Sequence, residues 1–150
     1  MQRESFAPGN LVFLTSTDTT VGFVSQNASR LTAIKQRPPH KHYIKAVDSL
    51  CTLKSQTRIP LQHRNRVRRS RRTTFIMPNG HSYRVIHTSS HLLLLSRMQW
   101  AYTTSANLSG KAYNEDFAKE AADVTIYPLK REATPSAILK LGTYTLKRIR

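Results

Sequence analysis

The stretch "YTTSANLSG", residues 102–110, follows a run of leucines and a tryptophan, "HLLLLSRMQW" at 91–100. "AYTT" (101–104) has strand composition, and its end passes directly into Ser105, Ala106 and Asn107. On extended backbone, residues two apart share a face, so Ser105 and Asn107 aim to the same side across the small Ala106. Serine is a compact donor or acceptor, asparagine does both, and Gly110 gives the chain freedom for a sharp turn. The result is a polar cradle at a strand exit, suited to a phosphate, a ribose or a carboxylate. The same residue types are also the ordinary furniture of loops, so the stretch is informative only together with its surroundings.

Two further segments repeat that logic. "TSTDTT" (15–20) is a hydroxyl cluster behind the apolar "NLVFL", and "NLVFLTSTDTTVGFVS" (10–25) reads as a strand entering a Thr-rich turn. "NASRLTAIKQRPP" (27–39) reads as a short helix carrying Ala28, Leu31 and Ile34 and stopped by Pro38. Proline pushes Arg37 toward extended backbone, on which Lys35 and Arg37 face one way and could converge on one anion. Elsewhere, "YIKAV" (43–47) predicts a strand, followed by a helix at 49–56 with Asp48 as its N-cap. "TTFIM" (73–77), "PNG" (78–80) and "SYRVI" (82–86) predict a hairpin. A buried helix with a serine cap is predicted over 89–100, and a helix capped by Asn114 over 114–123. Final strands are expected near 124–127 and 136–148. Strands and helices intermix, which predicts an α/β or α+β class in a single domain spanning 1–150.

Charge is unevenly distributed. The chain carries 24 Lys+Arg against 8 Asp+Glu, a formal +16, and has no acidic residue between Asp48 and Glu115. A surplus of that size attracts polyanions: nucleic acid, nucleotide phosphates or an acidic membrane surface. "RIPLQHRNRVRRSRR" (58–72) places seven arginines in fifteen residues. If it is helical, Arg64, Arg68 and Arg71 or Arg72 share a face, which suits a sugar–phosphate backbone. Together with Arg66 and Arg69 these are the candidate RNA contacts. The same arginines could instead grip a triphosphate, or be an exposed basic insertion.

Several chemistries fail on their own terms. Cys51 is alone, so neither a disulfide framework nor a CxxC zinc site is available. His87 and His91 lack the intervening Glu of HExxH, and His40 and His42 lack a third ligand, so no metal site is expected. There is no GxxxxGK[ST], GxGxxG or GxSxG element. "MQRESFAPGN" does not resemble a signal peptide and "HLLLL" is too short for a membrane span, so a cytoplasmic protein without a membrane partner is expected.

In their order, the three polar exits resemble the motifs of the YrdC-like family, whose members make threonylcarbamoyl-adenylate for tRNA modification. "STDTTVGF" (16–23) is similar to the family's PTDTVYGL-like stretch through Thr17, Asp18, Thr19 and Gly22. "KQRP" matches KxRP with Lys35, Arg37 and Pro38, and "TSANLSG" matches the SxN element with Ser105 and Asn107. "SYRVI" resembles the strand with a substrate-facing arginine, here Arg84. "TPSAILKL" resembles the PST-containing strand with Ser136, and "TLKRIR" the terminal strand with Arg148. Ser16, Thr20 and Val21 replace the usual proline, valine and tyrosine. The arginine-rich stretch stands where the family has a PGP-Thr segment, and Ala137 stands where threonine is common.

The resemblance implies a twisted mixed β-sheet with flanking helices and a positively charged concave face. It implies L-threonylcarbamoyladenylate synthase activity: L-threonine, bicarbonate and ATP give threonylcarbamoyl-AMP and pyrophosphate, with Mg²⁺ carried in on ATP. Lys35 and Arg37 become the catalytic candidates. Thr17, Arg84, Ser105, Asn107, Ser136 and Arg148 become the substrate and nucleotide contacts, with Arg84 on the threonine carboxylate. Implied partners are tRNA or double-stranded RNA and a downstream threonylcarbamoyl transferase complex. A non-catalytic RNA- or nucleotide-binding module of the same fold is the alternative.

Overall fold

The Thr-rich turn is the tip of a hairpin. β1 (Phe13–Ser16) and β2 (Val21–Ser25) pair antiparallel, so the single strand expected over 10–25 is two strands. Thr17 closes the turn: its Oγ1 donates to the Thr20 carbonyl and accepts from the Thr19 and Thr20 amides at 3.3 and 3.2 Å. The structure is a computed structural model that describes residues 8–87, 89–130 and 135–150.

Side-chain caps set the helix starts. Asn27 accepts from the Arg30 amide to begin α1 (Ala28–Lys35), and Gln36 ends it in the left-handed region at φ 51°. α2 (Leu50–Gln56) is capped by Ser49, whose Oγ accepts from the Thr52 amide at 3.2 Å. Asp48, expected as that cap, lies one residue outside and accepts from the Ser49 and Thr52 hydroxyls instead. Asn114 caps α5 (Glu115–Ala121) as its sequence predicts.

The arginine run does not form one helical face. A 3₁₀ turn at Leu61–His63 leads into α3 (Arg64–Arg69); Ser70 is then extended, and Arg72 takes φ 52° as the chain turns into β4 (Thr73–Ile76). Arg71 and Arg72 therefore leave the face carrying the other arginines. β4 and β5 (Ser82–Val85) form the expected hairpin.

α4 (Ser89–Met98) is amphipathic rather than buried: His91, Leu95 and Met98 face inward while Leu93 is 70% exposed. The serine cap expected at its start falls outside the described side chains. β3 (Ile44–Val47) and β6 (Trp100–Ser105) are as expected, whereas the last segment is a hairpin of β8 (Ala137–Leu141) and β9 (Leu146–Arg148). Only Val124–Thr125 of the expected 124–127 strand is extended, as β7.

These strands form one mixed nine-stranded sheet in the order β7-β1-β2-β6-β3-β5-β4-β8-β9, with β1–β7, β3–β5 and β4–β8 parallel. Register assigns the faces. Tyr102, Lys45, Tyr83, Phe75, Leu139 and Arg148 lie side by side across neighbouring strands, and so do Ala101, Ala46 and Arg84 one residue along. Successive side chains alternate, so the two rows occupy opposite faces. The first face is covered by α1 and α5 around Leu14, Phe23 and Leu31, and by α2 and α3 around Leu53, Val67 and Phe75. α4 covers the second face only around Phe13, Val24, Ala46 and Ala101. Among the described residues no helix covers the rest of that face. Among the described residues no helix is long and apolar enough to cross a membrane.

Candidate functional site

The open part of the second face is a cavity of about 340 Å³ lined by Thr17, Arg37, Tyr43, Arg84, Ser105, Ser136 and Arg150, among others. Its size lies within the range of small-molecule sites. It gathers residues from both halves of the sequence, because β2 and β6 pair directly, with Gly22 opposite Ser105. A Cβ at Gly22 would sit 2.8 Å from the Thr104 carbonyl oxygen. Glycine there lets the Thr-rich turn lie against the SxN strand.

Lys35 and Arg37 do not present themselves side by side from extended backbone, as the spacing suggests. Lys35 remains in α1, is 3% exposed, and does not line the cavity. Its Nζ donates to the carbonyl oxygens of Ser105 and Asn107 at 2.7 and 2.8 Å and to Asn107 Oδ1 at 3.4 Å. The Ser109 amide returns a bond to the Lys35 carbonyl at 3.0 Å. Burial, and then the charge of Arg37, lower the Lys35 pKa from its ordinary value to about 8. Beyond the left-handed Gln36, Arg37 stacks 4.6 Å from the Tyr43 ring centroid and donates to the His42 carbonyl at 2.8 Å. Arg37 reaches the cavity; Lys35 braces its wall.

Ser105 and Asn107 do meet, but across a tight turn rather than along a strand. The Asn107 amide donates to the Ser105 carbonyl at 2.9 Å, and Ser105 Oγ donates to Asn107 Oδ1. Asn107 Nδ2 donates to the carbonyls of Leu108 and Lys111 at 2.9 and 2.7 Å, tying the loop closed ahead of Gly110. Ser105 lines the cavity, whereas Asn107 shapes the loop behind it.

Arg84 lines the cavity but is already engaged. It donates to Asp18 Oδ1 at 2.8 Å and to Thr19 Oγ1 at 3.1 Å, with both charged side chains buried. The Thr-rich motif thus brings its own counter-ion. His91 of α4 feels the Arg84 charge, and its two ring nitrogens are buried without partners among the described residues. Burial, and then the Arg84 charge, push its pKa down to about 3, so it is neutral near pH 7.

At the far end, buried Ser136 shares a 2.8 Å hydroxyl–hydroxyl bond with Thr74, and its carbonyl accepts from Arg150 Nε at 3.0 Å. Arg150, not Arg148, is the terminal arginine at the cavity. Arg148 registers with Leu139 on the opposite face and is exposed. Strict alternation would give Arg148 and Arg150 the same face, so the sequence holds no signal for choosing between them. The choice is made where β9 ends: the amides of both Ile149 and Arg150 bond to the Ile138 carbonyl, which re-aims the last residue.

The arginine cluster lies elsewhere. Arg64, Arg66, Arg68 and Arg69 are exposed on α3, and Arg66 and Arg69 line a shallow depression with Asn65 and Ser70. Arg71 and Arg72 instead line a small recess with Asp18 and His87, next to the Arg84 ion pair. Among the described residues no group of three or more His, Cys, Asp or Glu could hold a metal ion.

Similar architectures occur in solved structures. The chain superposes on P. abyssi Sua5 in a variant form with a TM-score of 0.83 at 16% identity, over 97% of this chain and 53% of that one. A crystal structure of P. abyssi Sua5 complexed with L-threonine gives 0.81 at 18% identity, over 93% and 50%. E. coli YciO gives 0.72 at 16% identity, over 93% and 82%. The fold is YrdC-like. This YrdC-like chain spans about half the length of the Sua5 chains it matches. No family model matches the sequence, and no curated protein matches it.

Proposed function

We propose that this chain is an L-threonylcarbamoyladenylate synthase, a nucleotidyltransferase serving the threonylcarbamoyladenosine modification of tRNA. The observation that carries the reading is the convergence of Arg37 and Arg150 with Thr17, Ser105 and Ser136 around one cavity. The similarity to a Sua5 structure holding L-threonine adds support. In the reaction, threonine's amine and bicarbonate give a carbamate and water. A carbamate oxygen then attacks the α-phosphorus of ATP, and the bond to the β-phosphate oxygen breaks to release pyrophosphate. Both reactants are anions, so the site must hold them together and offset charge gathering at phosphorus. Arg37, fixed by Tyr43 and the His42 carbonyl, and Arg150, fixed by Ser136, supply preorganised guanidinium forks for phosphate oxygens. Ser105 and Ser136 offer hydroxyls, and Thr17 stands beside them at the hairpin tip. Arg84, held at the cavity wall by Asp18 and Thr19, would meet a threonine carboxylate there with its charge already partly offset by Asp18. Lys35 is a positioning residue. Mg²⁺ would enter on phosphate oxygens and water.

The test is pyrophosphate release with threonine, bicarbonate and ATP, each omitted in turn. Release that needs all three, and that falls about 100-fold in Arg37→Ala and in Arg150→Ala, is expected. Release indifferent to threonine would overturn the reading. A second reading, a non-catalytic double-stranded RNA- or nucleotide-binding module, is favoured by the exposed arginines of α3 and by the prior engagement of Arg84. RNA binding without turnover would select it. For an active enzyme, the product's mixed anhydride would be consumed by a threonylcarbamoyl transferase acting on tRNA.

A further inference from the structure

The sheet carries a second cleft, back to back with the first. It has a volume of about 450 Å³ and lies between α1 and α2 over β6, β3 and β5. Tyr102, Lys45 and Tyr83 point into it, whereas their neighbours Thr103, Ile44 and Arg84 line the cavity on the other face. The two sites therefore share strands but no wall of side chains apart from the loop residues His42 and Tyr43.

The composition of this cleft is particular. Half-buried Tyr102 forms an aromatic wall, with the Tyr43 ring 6.3 Å and the Trp100 ring 5.3 Å from its centroid. Lys45 Nζ lies 4.3 Å from the centroid of Trp100 and 5.5 Å from that of Tyr102. It donates to Gln56 Oε1 at 3.1 Å. That bond spends the amide's oxygen and leaves its N–H pair as a donor for an acceptor on a ligand. Lys41 and an edge-to-face pair of exposed imidazoles, His42 and His81, sit at the rim. No carboxylate is among the described residues that line the cleft. A flat π surface, an amide donor and uncompensated cations around one concavity match the parts of a nucleotide: base, base edge and phosphate.

We propose that this cleft is a second, non-catalytic site for a nucleoside monophosphate unit, the base stacking on Tyr102 and the phosphate held by Lys41 and Lys45. The unit can come from a free nucleotide or from an unpaired residue of an RNA strand. The site stands independently of the reaction assigned to the other face.

Trp100, the chain's one tryptophan, packs against Tyr102 and Lys45 of the cleft, so its fluorescence reports on a ligand through those two neighbours. Titration with AMP and UMP should quench it saturably, and ribose 5-phosphate and adenosine, each lacking one half of the ligand, should bind at least tenfold more weakly. Tyr102→Leu should weaken AMP binding about tenfold, and Lys45→Met by a similar factor, with pyrophosphate release unchanged. Gln56→Ala, a milder change at the helix surface, guards against misfolding of the larger variants and should weaken binding about threefold. In an Arg37→Ala background the quenching should persist, separating this cleft from the opposite cavity. A short oligouridylate binding at least tenfold tighter than UMP identifies a strand as the source, whereas equal affinity identifies free nucleotide. Ribose 5-phosphate binding as well as AMP, no quenching at millimolar nucleotide, or affinity indifferent to both Tyr102→Leu and Gln56→Ala would overturn the proposal.

Discussion

Lys35 holds its ammonium 2.7 and 2.8 Å from two carbonyl oxygens of the 105–107 turn, and its pKa lies near 8. Only the protonated form can donate to all three oxygens around it, so deprotonation loosens the turn that presents Ser105. The kcat/KM for pyrophosphate release should therefore fall above pH 8, and Lys35→Met should lower the rate and flatten that alkaline limb. Stability moves the other way. Between about pH 8 and 10.5 the unfolded chain binds this proton more tightly than the folded one, so this group alone makes stability rise with pH. A parallel loss of fold and activity across that window would refute the assignment. Gly22 is the second critical residue. Alanine there would place a methyl 2.8 Å from the Thr104 carbonyl oxygen and 3.0 Å from Thr17 Cγ2. Gly22→Ala should cost about 1–3 kcal/mol, measured by chemical denaturation.

At the scale of elements, α4 buries a neutral imidazole within the field of the Arg84 charge. The folded pKa of His91 lies near 3 and its ordinary value is 6.5. Below pH 6.5 the unfolded chain takes up a proton that the folded chain refuses, so stability is lost as pH falls through that window. The limiting slope from one such group is ~1.4 kcal/mol per pH unit. His91→Leu should remove this contribution, giving a shallower fall of the urea midpoint between pH 6 and 4. Identical slopes would show that His91 is hydrated or protonated in the fold. Elements with strong local signals formed as expected: the 73–86 hairpin, the Asn114-capped helix and α1, which Gln36 ends ahead of Pro38. The arginine run, whose helicity the sequence left open, is α-helical only over Arg64–Arg69, because the extended Ser70 and the β4 pairing that follows outweigh any helical continuation.

Across the whole molecule, the formal +16 is only locally compensated, by Asp18 on Arg84, Asp123 on Arg30 and Glu115 on Lys119 among the described pairs. The four exposed arginines of α3 lie on the helix-covered side of the sheet, away from the Ser105 cavity. If they contact RNA phosphates, changing Arg64, Arg66, Arg68 and Arg69 to Gln should reduce the slope of log affinity against log salt by roughly one unit per lost contact. Neutralising Arg71 and Arg72, which border the Asp18 recess, should change it less. An unchanged slope after the fourfold substitution would remove α3 from any RNA interface.

Residue types and order alone determined that strands and helices would mix, that three polar exits would follow apolar elements, and that the chain would carry a large surplus of positive charge. These are local properties, written in periodicity, caps and charge. Tertiary structure decided which polar groups face a ligand. Strand register turned Arg148 away and brought Arg150 in, and helix geometry buried Lys35 behind the loop. A salt bridge between residues 18 and 84 engaged an arginine that looked available. Each depends on which distant strand lies alongside, and the sheet fixes that pairing only once the chain has folded.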